Sequence, residues 1–115
     1  MTKRSVALFT AISLAFLVSI NGVEARCLSG PVEGSASGYA YKNGFPDLHD
    51  AEIKACRSAQ LDWAARAIIQ AQSEGLPVSD YPDLHKAKAR AWHSTENWAD
   101  GMNCDIEAIP CWDIP

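Results

Sequence analysis

The segment Asp83–Met102 reads DLHKAKARAWHSTENWADGM, and the fold expected of this chain turns on how it is read. At a period of about 3.6 residues, Leu84, Ala87, Ala91, Trp92, Thr95, Trp98, Ala99 and Met102 fall on one arc. Lys86, Arg90, His93, Glu96, Asn97 and Asp100 fall on the opposite arc. The pattern predicts an amphipathic helix over 83–102, buried on one side.

Upstream, residues 47–74 contain no glycine, no proline and seven alanines, which predicts a second, longer helix. Asp47 suits its N-cap, Asp50 its first turn, and Gly75 the position just past its end. Leu48, Ala55, Ala59, Trp63 and Ala67 drift along one side while Ile53 and Ile68 point elsewhere. This helix is therefore expected to be covered on more than one face or broken near its middle. Pro77 and Pro82 mark a turn between the two segments.

The expectation is an all-α fold: an antiparallel helical hairpin with extended straps at 26–46 and 103–115. Tyr39 and Tyr41, two apart, allow a short strand in the first strap. The second strap follows from Pro110 and Pro115. Trp63, Trp92, Trp98 and Leu84 are the expected core, because alanine-rich helices leave a core thin and tryptophan fills it.

Both helices begin with one word, Phe45-Pro-Asp-Leu-His49 and Tyr81-Pro-Asp-Leu-His85. The repeat raises the question of a shared ligand. In a hairpin, His49 and His85 lie at opposite ends, roughly 35 Å apart at the helical rise, whereas a common metal needs both within about 2 Å. The word is better read as one helix-start signal used twice. His49/Glu52 and His93/Glu96 each pair across one helical turn without further ligands, and no CxxCH motif points to haem. No metal and no cofactor is expected.

Residues 1–25 read as a signal peptide: Lys3 and Arg4, an apolar run from Val6 to Ile20, and Val23-Glu-Ala25 before the cleavage point. The expected mature chain, 26–115, has 90 residues, with 8 Lys and Arg against 13 Asp and Glu, a net charge of 8 − 13 = −5. That acidity argues against nucleic acid and against a membrane surface as partners of the mature form. The local Lys86, Lys88 and Arg90 cluster reads as a solvated face.

All four cysteines, Cys27, Cys56, Cys104 and Cys111, lie in the mature part, so two disulfides and a secreted or periplasmic location are expected. With the turn centred on Val78–Ser79, Cys56 falls level with about residue 101 in the hairpin. This favours Cys56–Cys104 and Cys27–Cys111, the rival being Cys27–Cys56 with Cys104–Cys111.

No GxSxG, free cysteine or phosphate-binding glycine loop is present, and Asp47, Asp50, Asp80 and Asp83 sit where helix starts want acids. An enzyme is not expected. Two functional classes remain. One is a non-enzymatic protein-interaction module (inhibitor, accessory subunit or immunity-type partner), with Trp112, Asp113 and Ile109 of the tail as its candidate interface. The other is a small-ligand or lipid carrier with an apolar cavity between the helices. Self-association of the long helix also makes a homodimer an expectation.

Overall fold

The computed structural model describes residues 24–114, and the expected signal peptide lies almost wholly outside them. In chain order the elements are β1 (Glu24–Cys27), β2 (Val32–Gly38), β3 (Tyr41–Lys42), β4 (Phe45–Pro46), α1 (Leu48–Ser73), β5 (Lys88–Glu96), β6 (Met102–Ile109) and β7 (Cys111–Ile114). A single 3₁₀ turn, Leu84–Lys86, precedes β5. The main sheet is antiparallel in the order β2-β6-β5, with two-stranded ribbons β1-β7 and β3-β4 at its margins. Helix α1 lies across β2 and β6.

The all-α hairpin is thus overturned: the fold mixes one long helix with antiparallel sheets. Residues 83–102 form no helix but the 3₁₀ turn, β5 and a tight reversal. Asn97 builds that reversal. Its Oδ1 accepts from the N–H groups of Ala99 at 3.0 Å and Gly101 at 2.9 Å, and its own N–H donates to Gly101 O at 2.9 Å. Side-chain capping of this kind gives the backbone an alternative to the helix. The 103–115 strap is overturned too. Met102–Ile109 alternates, with Cys104, Ile106 and Ala108 buried and Asp105 and Glu107 exposed, the period of a half-buried strand.

Helix α1 is unbroken over 26 residues and covered on one face only. Its N-cap Asp47 accepts from Asp50 N–H at 3.1 Å. At its end Gly75 is left-handed (φ 81°), and Leu76 N–H reaches Ala71 O while Gly75 N–H reaches Gln72 O. That pair of bonds is a Schellman stop. The buried stripe Ala51, Ala55, Ala59, Trp63, Ala67 and Ala71 repeats every fourth residue, whereas Leu61 and Ile69 face solvent. Small residues bring the helix down onto β2. A Cβ added at Gly34 would stand 2.5 Å from Trp63 N and 2.6 Å from Ala59 O, so backbone and backbone meet there without a side chain between them.

The disulfides join Cys27 to Cys111 and Cys56 to Cys104. This is the favoured pairing of the sequence, reached through another geometry. Cys56 projects from α1 to Cys104 in the central strand, and Cys27 and Cys111 are register partners across β1 and β7. Two disulfides indicate an oxidising compartment, extracellular or periplasmic. Among the described residues no helix is long and apolar enough to cross a membrane.

Candidate interaction edge

The main sheet has two outer edges, and the chain treats them differently. At the β2 edge, α1 supplies a guard at one position: Asp62 Oδ2 accepts the outward N–H of Ser35 at 3.0 Å. The Ser35 N–H holds the Asp62 carboxyl below its usual value of 3.8; partial desolvation opposes this, and Arg66 adds to it. Arg66 Nε stands 3.0 Å from the same oxygen. Because the folded chain holds this proton less tightly than the unfolded one, the contribution is complete above the usual value of 3.8 and is lost as pH falls through the folded-state value. Asp62→Asn is therefore expected to lower the urea midpoint at about pH 7, with a narrower gap to wild type at about pH 3. Urea unfolding at both pH values measures this.

The β5 edge has no such guard. From the Asn97–Gly101 bond the register runs Glu96↔Met102, Thr95↔Asn103, Ser94↔Cys104, His93↔Asp105 and Trp92↔Ile106. Hydrogen-bonded and non-hydrogen-bonded pairs alternate along an antiparallel ladder. Thr95 and His93 therefore turn their backbone groups toward β6, and Glu96, Ser94 and Trp92 turn theirs outward. Among the described residues no hydrogen bond meets these outward groups. Beyond Trp92 the edge is spoiled for pairing. A bulge lies between Lys88 and Ala91, and Ala89 is left-handed (φ 53°). Bulges and lysines are common devices against edge pairing, and here they shield only the first half of the strand.

At the Trp92 end of the free half lies an apolar groove of about 490 Å³. Ile53, Cys56 and Arg57 of α1 form one wall, Arg90 and Trp92 of β5 the other, and Ile106 the floor. It exists because α1 sits over β2 and β6 and stops short of β5, leaving Trp92 73 % exposed on the helix-facing side. Ser94, outside the groove, is half-buried, its Oγ 3.5 Å from Cys56 Sγ. Among the described residues the ion pairs are Lys54–Asp50, Arg66–Asp62 and Lys86–Asp113. Arg57, Arg90 and Glu96 take no part in them.

The tryptophans hold places that the sequence reading assigned differently. Trp63 is fully buried, as expected of core, but Trp92 is exposed and Trp98 is 97 % exposed at the tip of the β5–β6 reversal. Leu84 packs against the rim of the core. Trp112, expected at an interface, is 5 % exposed and donates its Nε1–H to Asp80 O at 2.9 Å. Of its neighbours, Asp113 holds Lys86 Nζ at 2.9 Å and Ile109 is half-buried beside the ribbon. The structure does not bring these three tail residues together into an exposed patch.

Asp83 caps only the 3₁₀ turn, accepting from His85 N–H at 2.9 Å. The repeated word therefore starts a 26-residue helix once and a 3-residue turn once. Among the described residues no three His, Cys, Asp or Glu side chains converge on a metal position. The face of the sheet away from α1 is acidic, with Glu33 directly opposite Glu107 and Ser35 opposite Asp105.

Fold and edge together define a disulfide-bonded domain of mixed α and β structure, with one sheet edge capped at Ser35 and the other open along Trp92–Glu96. Comparison with protein families, with curated proteins and with solved structures gives no match to this chain.

Proposed function

We propose that this is a small exported, non-enzymatic protein-interaction module that takes up a partner strand at the edge of β5. The observation that carries the reading is the row of outward backbone groups at Trp92, Ser94 and Glu96, set beside an apolar groove and an exposed tryptophan. Strand addition draws affinity from main-chain hydrogen bonds and specificity from pockets for alternate side chains, and both components lie side by side here. Inhibitor, accessory subunit and immunity-type partner are all roles that such an edge can serve.

A photo-crosslinking residue placed at Glu96 in the oxidised mature chain, exposed to the exported proteins of its own source, is expected to give one discrete protein adduct. The same residue at Asp105, on the open face, should give none, and Ser94→Pro should abolish the adduct by removing an outward N–H. Equal adducts from both positions, or none from Glu96, would overturn the proposal.

The groove also supports one rival, a carrier of small apolar ligands or lipids. The two part at Ser94→Pro, which leaves fatty-acid or dye binding intact in a carrier.

A further inference from the structure

We infer that the strand that docks on β5 is β5 of a second copy of this chain, which joins two sheets into one of six strands. The inference rests on the strand-addition reading and names the occupant of that edge. Its first support is register. In a two-fold antiparallel pair only residues whose backbone groups point outward on both strands can exchange hydrogen bonds. Centring the pair on Ser94 sets Ser94 opposite Ser94 and Trp92 opposite Glu96 of the other copy, so all three outward residues are used. Sliding the centre by one residue toward Lys88 sets Glu96 against Arg90 in the bulge, where the ladder is broken. Sliding it the other way sets Trp92 against the reversal at Trp98.

Charge supports the same register. Directly opposed residues share a face of the sheet, and Trp92, Ser94 and Glu96 all face the helix side. The carboxylate of Glu96 from one copy therefore arrives over Trp92 of the other, at the groove flanked by Arg57 and Arg90. These three charged groups take no part in ion pairs within the described residues, and the two-fold axis pairs them twice. On the other face, β5 contributes Ala91, His93 and Thr95 and no carboxylate, so it adds nothing to the acidic face formed by Glu33, Asp105 and Glu107. The chain thus carries on one strand both the site and its complement: an apolar side chain, a carboxylate two residues from the axis, and backbone free to pair.

The test uses the oxidised mature protein in sedimentation equilibrium over a range of concentrations. A dimer is expected. Arg57→Glu with Arg90→Glu should raise its dissociation constant at least about tenfold, and adding Glu96→Arg to that pair should restore it. Ser94→Pro should give a monomer, and circular dichroism establishes that this variant is folded. Register is read separately. In the non-hydrogen-bonded row His93 of one copy faces Thr95 of the other, a spacing suited to a disulfide. A mixture of His93→Cys and Thr95→Cys chains should then oxidise to a mixed covalent dimer, and neither chain alone should.

A monomer at every concentration overturns the inference, as does a dimer indifferent to both the charge reversals and the cysteine mixture. If the protein is monomeric while the Glu96 crosslink captures a different protein, self-pairing fails and the strand-addition reading stands. If neither occurs, both fail.

Discussion

Trp63→Ala is expected to cost about 3–5 kcal/mol, a large share of the margin that keeps a domain of this size folded, which is roughly 5–15 kcal/mol. Trp63 is fully buried at the centre of the core cluster. Its neighbours on the helix are Ala59, Ala64 and Ala67, and across from it lies Gly34. None of these can swing into the space it leaves, because alanine and glycine have no rotatable side chain to offer. Relaxation is left to the larger members of the cluster, such as Leu28, Val32 and Ile106, so part of the cavity stays open and adds to the cost. The substitution also strips Ala108 O of the indole N–H that it accepts at 3.1 Å, leaving a buried carbonyl short of a partner. Urea unfolding should show a much lower midpoint with an unchanged slope. A shift of under about 1 kcal/mol would mean that the core is not built around this residue.

Replacing Cys56 and Cys104 together by serine is expected to cost about 4 kcal/mol through loop-closure entropy, since the bridge spans 48 residues. For a domain of this size that is a fall of roughly 15–30 °C in Tm. The site adds to the entropic loss. Cys104 is fully buried in the central strand, so its serine needs a hydrogen bond, for which the candidates are the new serine at 56 and Ser94 Oγ, 3.9 Å from Cys104 Sγ. The bridge is also the covalent tie between α1 and the sheet on the side where packing is thinnest. Thermal unfolding of the double variant against the oxidised parent measures the effect. Loss of less than about 1 kcal/mol would show that the unfolded chain is already compact around this loop.

How much of this could be read in advance depended on whether a signal was local. The cap at Asp47, the stop at Gly75 and the alanine-rich run between them were legible, since helix initiation, termination and propensity are written in neighbouring residues. The side that carries Ala55, Ala59, Trp63 and Ala67 was legible as well, but not that it is the one covered face, nor what covers it. Its alanine stripe reads as helix anywhere, and Gly34 and Gly38 reveal their purpose only once a helix lies on them. Residues 83–102 misled because their apolar positions fit a helical arc, while Asn97 and Asp100-Gly101 were the turn signal that breaks it. Met102–Ile109 carries a clean alternation that the prolines around it obscured. Asn43-Gly44, both left-handed at φ 55° and 82°, was a hairpin signal in plain view.

The cysteine pairing came out through a level-matching argument for a hairpin that does not exist. The pairing agrees because α1 packs on β6 with Cys56 over Cys104, a position the hairpin levels happened to share. The candidate site was hidden for a different reason. An edge is free only by virtue of what fails to cover it, and no residue of β5 announces that α1 stops short of it. The exposure of Trp92 and the burial of Trp112 are both consequences of where the helix lies, and composition treats the two alike.

The position of β6 in the middle of the sheet governs how the chain comes to be folded at all. On one side its partner β5 is reached through a reversal of a few residues. On the other, β2 lies 64 to 76 residues away in sequence, from Gly38↔Met102 (102 − 38) to Val32↔Ala108 (108 − 32). Short hairpins close in about 1–10 μs, whereas sheets dominated by distant pairings form in roughly milliseconds to seconds. During that interval β6 is paired on one flank only. An exported chain also emerges with β2 first and β6 last, so the strand that completes the sheet is the last to arrive. Oxidation of Cys56 and Cys104 ahead of β2 docking would bring α1, with Gly34 and Gly38 only a short way upstream of it, to the waiting strand. The rate at which an exporting cell forms that bond then sets how long an unfinished sheet is open to its neighbours.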